Sequence, residues 1–137
     1  MALRFLDYKV QNSNFSLTPD IAPNRNYKIT PKISCNLRRA PNRLICSFGV
    51  ELTHRDEPIP FEFKISAVGT FSIDETDDAS ALAVKAAETV YPFVRQSVAQ
   101  LTLMANVPPY LLPMLDMEEV IGGAKKVTLS MPSANLS

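Results

Sequence analysis

One histidine, two cysteines, fourteen carboxylates and fourteen lysines or arginines are the groups in this 137-residue sequence best suited to acid–base, nucleophilic or metal chemistry. Their spacing assembles little. His54 stands beside Arg55-Asp56 at an expected hairpin end, where it reads as a solvated turn residue. A single histidine and two strand cysteines do not make a common zinc site. Cys35 and Cys46 are expected to face each other inside a sheet as reduced core residues. The glycines form no phosphate-cradling loop. Asp74, Glu75, Asp77 and Asp78 cluster where a helix starts, which accounts for them through the helix dipole. Arg38, Arg39 and Arg43 share one turn with no interleaved aromatic residues, so they read as a solvated hairpin tip and not as a nucleic-acid patch. No nucleophile, base and orienting group come together. The expectation is a protein that is not an enzyme and uses no cofactor and no metal.

Bulk properties narrow the class further. The length suits one domain with a single core. Formal net charge is zero, against the basic excess of a nucleic-acid binder. The apolar runs are too short to span a bilayer, and the first residues lack a signal-like apolar stretch, so a cytoplasmic protein without membrane insertion is expected. Eleven prolines fall mostly between apolar runs and punctuate the elements.

Those elements come as strands first and helices after, an α+β order. Leu6, Tyr8 and Val10 alternate, then Phe15 and Leu17 resume after a polar Gln11–Asn14 stretch that reads as a bulge. Ile33, Cys35 and Leu37 form a second alternation, and Leu44, Cys46, Phe48, Val50 and Leu52 a third. Setting Arg38 opposite Arg43 would pair Leu37 with Leu44, Cys35 with Cys46 and Ile33 with Phe48. Phe61, Phe63, Ile65, Ala67, Gly69, Phe71 and Ile73 make a fourth strand. Four antiparallel strands with one apolar face need a cover.

A long helix supplies it. Asp77-Asp78 offers the N-cap, and Ala83, Ala87, Val90, Val94, Val98, Leu101 and Ala105 recur at steps of three and four. Pro92 inside this pattern is expected to kink or split the helix. Tyr91, Phe93, Leu103 and Met104 fall partly outside the stripe, which leaves the C-terminal half apolar around much of its circumference. Such a helix is buried on more than one side, and a partner subunit is the natural second cover. The oligomer interface is expected at Tyr91, Phe93, Val94, Val98, Leu101 and Met104. Beyond it, Val107 to Leu115 has no charge, and Asp116 to Ile121 makes a short amphipathic helix ended by Gly122-Gly123. A helix that short must rest on something or act as a lid. The expected organisation is a single domain over 1–123 and a mobile tail over 124–137.

Tyr91-Pro92-Phe93-Val94-Arg95 followed by Leu101, then Pro108-Pro109 and Leu111-Leu112-Pro113, resembles the signature of the SecB family of protein-export chaperones. Gly69-Thr70-Phe71-Ser72-Ile73 resembles the end of that family's fourth strand. The similarity covers about residues 61 to 121 and is topological before that. It implies a four-stranded antiparallel sheet followed by a long kinked helix and a short second helix. It implies a homotetramer, a dimer of dimers, whose long helices lie between two sheets. It implies a holdase that keeps preproteins unfolded and delivers them to the SecA motor, gripping them in a hydrophobic groove. Leu111, Leu112, Met114, Leu115, Met117, Val120 and Ile121 would line that groove, with Tyr27 from the strand-connecting loop. Loop-rich and Met-rich surfaces repack around different partners.

The chain departs from the export pattern in charge. Exporters are acidic, whereas the matching fourth-strand position here is Lys64 and the first-strand positions are Asn12 and Ser16. SecA is therefore a doubtful partner. A dedicated SecB-like chaperone of a toxin–antitoxin system, serving one client, is the alternative, and a small α+β enzyme is a third reading.

Overall fold

Alternation of apolar and polar residues at period two produces an antiparallel sheet. The computed structural model describes residues 3–18, 28–29, 31–53, 59, 61–74, 76–107, 109–122, 127–128 and 131–132. Its strands are β1 (Arg4–Leu17), β2 (Lys28–Ile29), β3 (Lys32–Ala40), β4 (Arg43–Leu52) and β5 (Phe61–Ser72). The helices are α1 (Ala79–Met104) and α2 (Met117–Gly122), followed by two dipeptide strands, β6 (Val127–Thr128) and β7 (Met131–Pro132). The main sheet runs β1-β5-β4-β3-β6, and β2 pairs with β7. Every neighbouring pair is antiparallel. His54 and Tyr27 lie outside the described residues.

One sheet face is apolar and carries the core. Leu44, Cys46, Phe48, Val50 and Leu52 of β4 alternate with Phe61, Phe63, Ile65, Ala67 and Phe71 of β5, all buried. α1 covers that face with Leu82, Ala83, Ala86, Ala87, Val90, Tyr91, Val94 and Val98. The helix comes close at Gly69, where a Cβ would stand 2.4 Å from a methyl of Val90. Glycine there lets two backbones approach across the layer.

Two sequence expectations about the sheet are corrected. β3 and β4 join through a two-residue turn, Pro41-Asn42, so Ala40 faces Arg43 and Arg38 faces Ile45. The pairing is therefore two residues away from the one that set Arg38 against Arg43. A shift of two keeps every apolar side chain on its face, so alternation alone could not detect it. Cys35 consequently faces Phe48 and Cys46 faces Leu37. The cysteines are diagonal neighbours, both free, with their sulfurs 3.7 Å apart. The hydrogen bond with Cys35 and burial push the Cys46 thiol well above its ordinary value. In β1 the register breaks twice, at Leu6 and at Gln11. The first break takes Leu6 out of the inward alternation and puts Phe5 and Tyr8 against β5 instead.

α1 runs unbroken through Pro92, which sits on its exposed side. Its start is tied to the sheet: Arg39 donates to the carbonyls of Asp74 and Asp77. One member of the arginine cluster thus anchors the turn before the helix. Its end closes on Asn106, at a positive φ of 64°. There Asn106 N–H meets the Leu103 carbonyl and Val107 N–H meets that of Thr102. This pair of bonds is the Schellman arrangement, with asparagine in the place glycine usually takes.

Candidate functional site

The uncharged segment after α1 is held by side chains of α1, one backbone group at a time. Thr102, fully buried, donates to the helix carbonyls of Val98 and Ala99 and accepts the N–H of Tyr110 at 2.9 Å. Arg95 donates from Nε to the Leu112 carbonyl at 2.9 Å. Tyr91 donates its phenol proton to the Pro113 carbonyl at 2.6 Å. Buried backbone groups require such partners, and a proline-rich segment cannot find them within itself. Burial is the main reason the Tyr91 phenol is pushed above its ordinary value, with the nearby Arg95 charge pulling the other way. The neutral, donating form is therefore the one present.

A loop pinned in this way sends its side chains in two directions. Leu112 points into the core and is fully buried. Leu111 on one side of it is 59 % exposed and Met114 on the other is 81 % exposed. The Met114 sulfur also accepts a hydrogen bond from Arg95 Nη1 at 3.4 Å. Asp116 then caps α2 through its carboxylate, which accepts the Glu118 N–H at 3.0 Å, and through its carbonyl. α2 buries Met117 and Val120 and leaves Ile121 half-buried, as is Leu115 before it.

The residues expected to grip a client therefore divide. Leu112, Met117 and Val120 are core residues, sealed beneath the loop and α2. Leu111 and Met114 are open, and Leu115 and Ile121 are partly so. Thr102 was not singled out in the sequence, although a threonine on the buried face of an apolar helix signals a polar partner to be found. Tyr110 packs by its ring against Phe61 and Phe63, and its hydroxyl is buried without a partner. Burial pushes its pKa up to about 12.

The expected interface residues divide as well. Tyr91, Val94 and Val98 lie in the protein's own core, and Leu101 packs half-buried against it. Tyr91 does not lie outside the helix stripe, because its ring faces Phe48 on the sheet, 5.7 Å away. Phe93 is partly exposed and stacks on Phe5 and Tyr8 of β1, at 5.3 Å from each. The Tyr8 hydroxyl meets Ser97 Oγ at 2.9 Å, and Ser97 in turn donates to the Phe93 carbonyl. Leu103 and Met104, the latter 84 % exposed, project from the end of α1. The exposed side of α1 also carries Lys85, Glu88, Gln96 and Gln100. It is apolar at its C-terminal end and not all along.

The opposite sheet face is mostly polar, with Ile45 and Val68 among its residues. Lys64, Asn12 and Ser16 lie on it, opposite Asn14, Ser66 and Glu62. Glu51, Glu62 and Lys64 share a shallow depression of about 350 Å³ with Phe15 and Phe63. Among the described residues no group of three histidine, cysteine or carboxylate side chains gathers to hold a metal, and no helix is long and apolar enough to cross a membrane.

No family model matches the sequence, and no curated protein is similar to it in sequence. Similarity appears in three dimensions. The Mycobacterium tuberculosis protein Rv1957, a SecB-like chaperone solved in complex with a ChAD peptide from the Rv1956 HigA1 antitoxin, superposes with a TM-score of 0.68 at 14 % identity. The match covers 82 % of this chain and 90 % of that one. The fold is SecB-like. The resemblance read from the Tyr91–Pro113 motif thus holds at the level of architecture: a four-stranded antiparallel sheet, one long helix and a short second helix. A protein of unknown function from Streptococcus agalactiae aligns with a TM-score of 0.41 and 12 % identity, over 83 % of this chain and all of that one. In this chain Tyr91 and Arg95 of the motif hold the loop that leads to the second helix.

Proposed function

We propose that this chain is a SecB-like chaperone that binds segments of unfolded polypeptide and catalyses no reaction. The observation that carries the reading is the exposure of Leu111 and Met114 on a segment whose backbone is fixed by Tyr91, Arg95 and Thr102. An apolar side chain on a floppy loop is unremarkable, but a rigid loop that presents two large ones keeps a surface that water disfavours. Exposed apolar patches of this kind mark interaction sites. Leu115 and Ile121, partly exposed in the same stretch, are proposed to extend the patch at its margin. Tyr27, which precedes Lys28 in the sequence, is proposed as a further contributor.

A dedicated client is favoured over general export. The structurally similar Mycobacterium protein was solved with an antitoxin peptide, and Lys64, Asn12 and Ser16 stand where exporters carry acids. A homotetramer in the cytoplasm is the proposed working state. Phe93, Leu103 and Met104, together with Leu6, Val10 and Leu17 of β1, supply the exposed apolar surface for such an assembly.

The test combines size and binding. Light scattering on the purified chain is expected to give four copies, and a monomer would remove the assembly. Anisotropy with labelled unfolded clients is expected to show binding, lost on Leu111→Ser with Met114→Ser. Aggregation assays on several unrelated clients separate a generalist from a specialist. Absence of binding to every client and to antitoxin-type peptides would end the chaperone reading.

A further inference from the structure

Arg95 reaches past both sides of Pro113 in the pinned loop. Its Nε donates to the Leu112 carbonyl at 2.9 Å, and its Nη1 meets the Met114 sulfur at 3.4 Å. Between these two bonds, Tyr91 holds the Pro113 carbonyl. Three consecutive residues are thus bonded to two side chains of α1, and the last of these bonds fixes a thioether. Met114 is also exposed, so its sulfur is held in place and open to water at once. Met117 is buried, and Met104, though exposed, has no donor on its sulfur among the described residues.

The donor here is stronger than the acceptor it meets, since thioether sulfur accepts weakly. One oxygen atom added to the sulfur would change that. A sulfoxide oxygen accepts strongly, and bonds from a guanidinium are roughly twice as strong as neutral ones. A sulfoxide is also polar where the thioether is apolar. Of the two large side chains the loop presents, Leu111 alone would then remain apolar.

We propose that Met114 is a modification site, oxidised by hydrogen peroxide to methionine sulfoxide, which Arg95 then holds, and that the change weakens the patch's grip on apolar segments. The site stands on the geometry of Arg95 and the loop. Its effect on clients rests on the chaperone reading and adds a means of regulation to it. In the step, a sulfur lone pair attacks one oxygen of the peroxide. An S–O bond forms and the O–O bond breaks. The departing hydroxide takes the proton of the transferred oxygen and leaves as water. Sulfur gives up two electrons and the peroxide gains them. Two thiols reverse the change: they are oxidised to a disulfide, and the sulfoxide oxygen departs as water, a reaction that methionine sulfoxide reductases catalyse.

For the test, the full-length chain is treated with dilute hydrogen peroxide, freed of it, and compared with itself before treatment. Peptide masses are expected to show one added oxygen on Met114 at a dose that leaves Met117 unchanged. Equal oxidation of the two, or none on Met114, overturns the site. Amide exchange at Tyr110, Leu111 and Leu115 is expected to slow about fivefold on oxidation, the effect of one further hydrogen bond. Met114→Leu, which has no sulfur, and Arg95→Lys, which keeps the charge and loses the fork, are expected to show no slowing. Exchange that stays the same or quickens in the unsubstituted chain, or slows equally in either variant, overturns the hold of Arg95 on the sulfoxide. The client probes are a labelled globular protein kept unfolded by reduction and carboxymethylation, and a labelled antitoxin-derived peptide, both followed by anisotropy. Affinity for the probe that binds is expected to fall about tenfold on oxidation, the scale of one apolar side chain lost from a contact, and to return with the reductases and dithiothreitol. In Met114→Leu the affinity, whatever its starting value, is expected not to change with peroxide. An unchanged affinity in the oxidised chain, or the same fall in Met114→Leu, overturns the regulation. A chain that takes up neither probe before treatment shows that the chaperone reading has failed instead, and the mass and exchange measurements then still decide the modification site.

Discussion

The sheet and the segment from Val107 to Ile121 are both rich in apolar residues, yet they use them in opposite ways. On β4 and β5 each apolar side chain of the alternating set is buried. In the loop the apolar residues are split, with Leu112 in the core and Leu111 and Met114 on either side of it in solvent. The backbone accounts for the contrast. A strand satisfies its own polar groups along the ladder, so its side chains are sorted by the pleat alone. The proline-rich loop borrows partners from Tyr91, Arg95 and Thr102, and those fixed points decide which side chains turn inward. Exposure in the loop is thus an imposed conformation, held by polar groups of a neighbouring element.

The largest effect that bears on this contrast belongs to the sheet. Phe61, fully buried between Phe15, Phe63 and Tyr110, is expected to cost about 3–5 kcal/mol as Phe61→Ala, read by chemical denaturation. A loss below about 1 kcal/mol would mean that the sheet is not the dominant core. Next, Arg95→Ala should cost about 1.5–3 kcal/mol, the range for a hydrogen bond to a charged group. It should also increase proteolysis and amide exchange between Val107 and Asp116 ahead of the sheet. If the loop stayed as protected as before, the helix side chains would not be what fixes it.

Tyr110→Phe reverses the sign. Its hydroxyl is buried without a partner, so removal should leave stability unchanged or raise it by about 1 kcal/mol. Tyr91→Phe, which strips the Pro113 carbonyl of its donor, should instead lower stability by about 1 kcal/mol or more. Equal responses from the two tyrosines would break the distinction between a pinning residue and a packing one.

The smallest mutational effect on stability is expected for Leu111→Ser with Met114→Ser, within about 0.5 kcal/mol, because surface substitutions cost little. A larger loss would place both residues in a buried interface of the free protein. Finally, the Tyr110 phenol carries a proton more tightly in the folded chain than in the unfolded one, with its pKa pushed up to about 12. The folded state therefore retains a proton that the unfolded state loses first. Stability should be full below pH about 10 and fall as the pH rises toward about 12, measured by denaturation across that range.

Much of this architecture was readable from residue order. The strands from Ile33 to Ile73, the long helix and the short one follow from period-two and period-3.6 patterns. The unusual placing of Pro92, Arg95 and the paired prolines resembles the SecB pattern in the sequence alone. Other features were out of reach. A two-residue slip in β3 and β4 leaves the alternation unchanged, so the turn at Pro41-Asn42 had to set the register. Tyr91 and Val98, expected at a subunit interface, are buried in the protein's own core cluster. A helix pattern records how many faces are apolar and not what covers each one.

By itself, then, residue order determined the elements, their type and their buried stripes, because local periodicity responds to the geometry of strand and helix alone. The tertiary fold decided which of Leu111, Leu112 and Met114 meets water, and that Val127 and Thr128 pair with β3. Both depend on contacts between groups apart in the chain, the hydrogen bond of Arg95 with Leu112 and the strand pairing of Ile33 with Val127, and no local pattern encodes such a pairing.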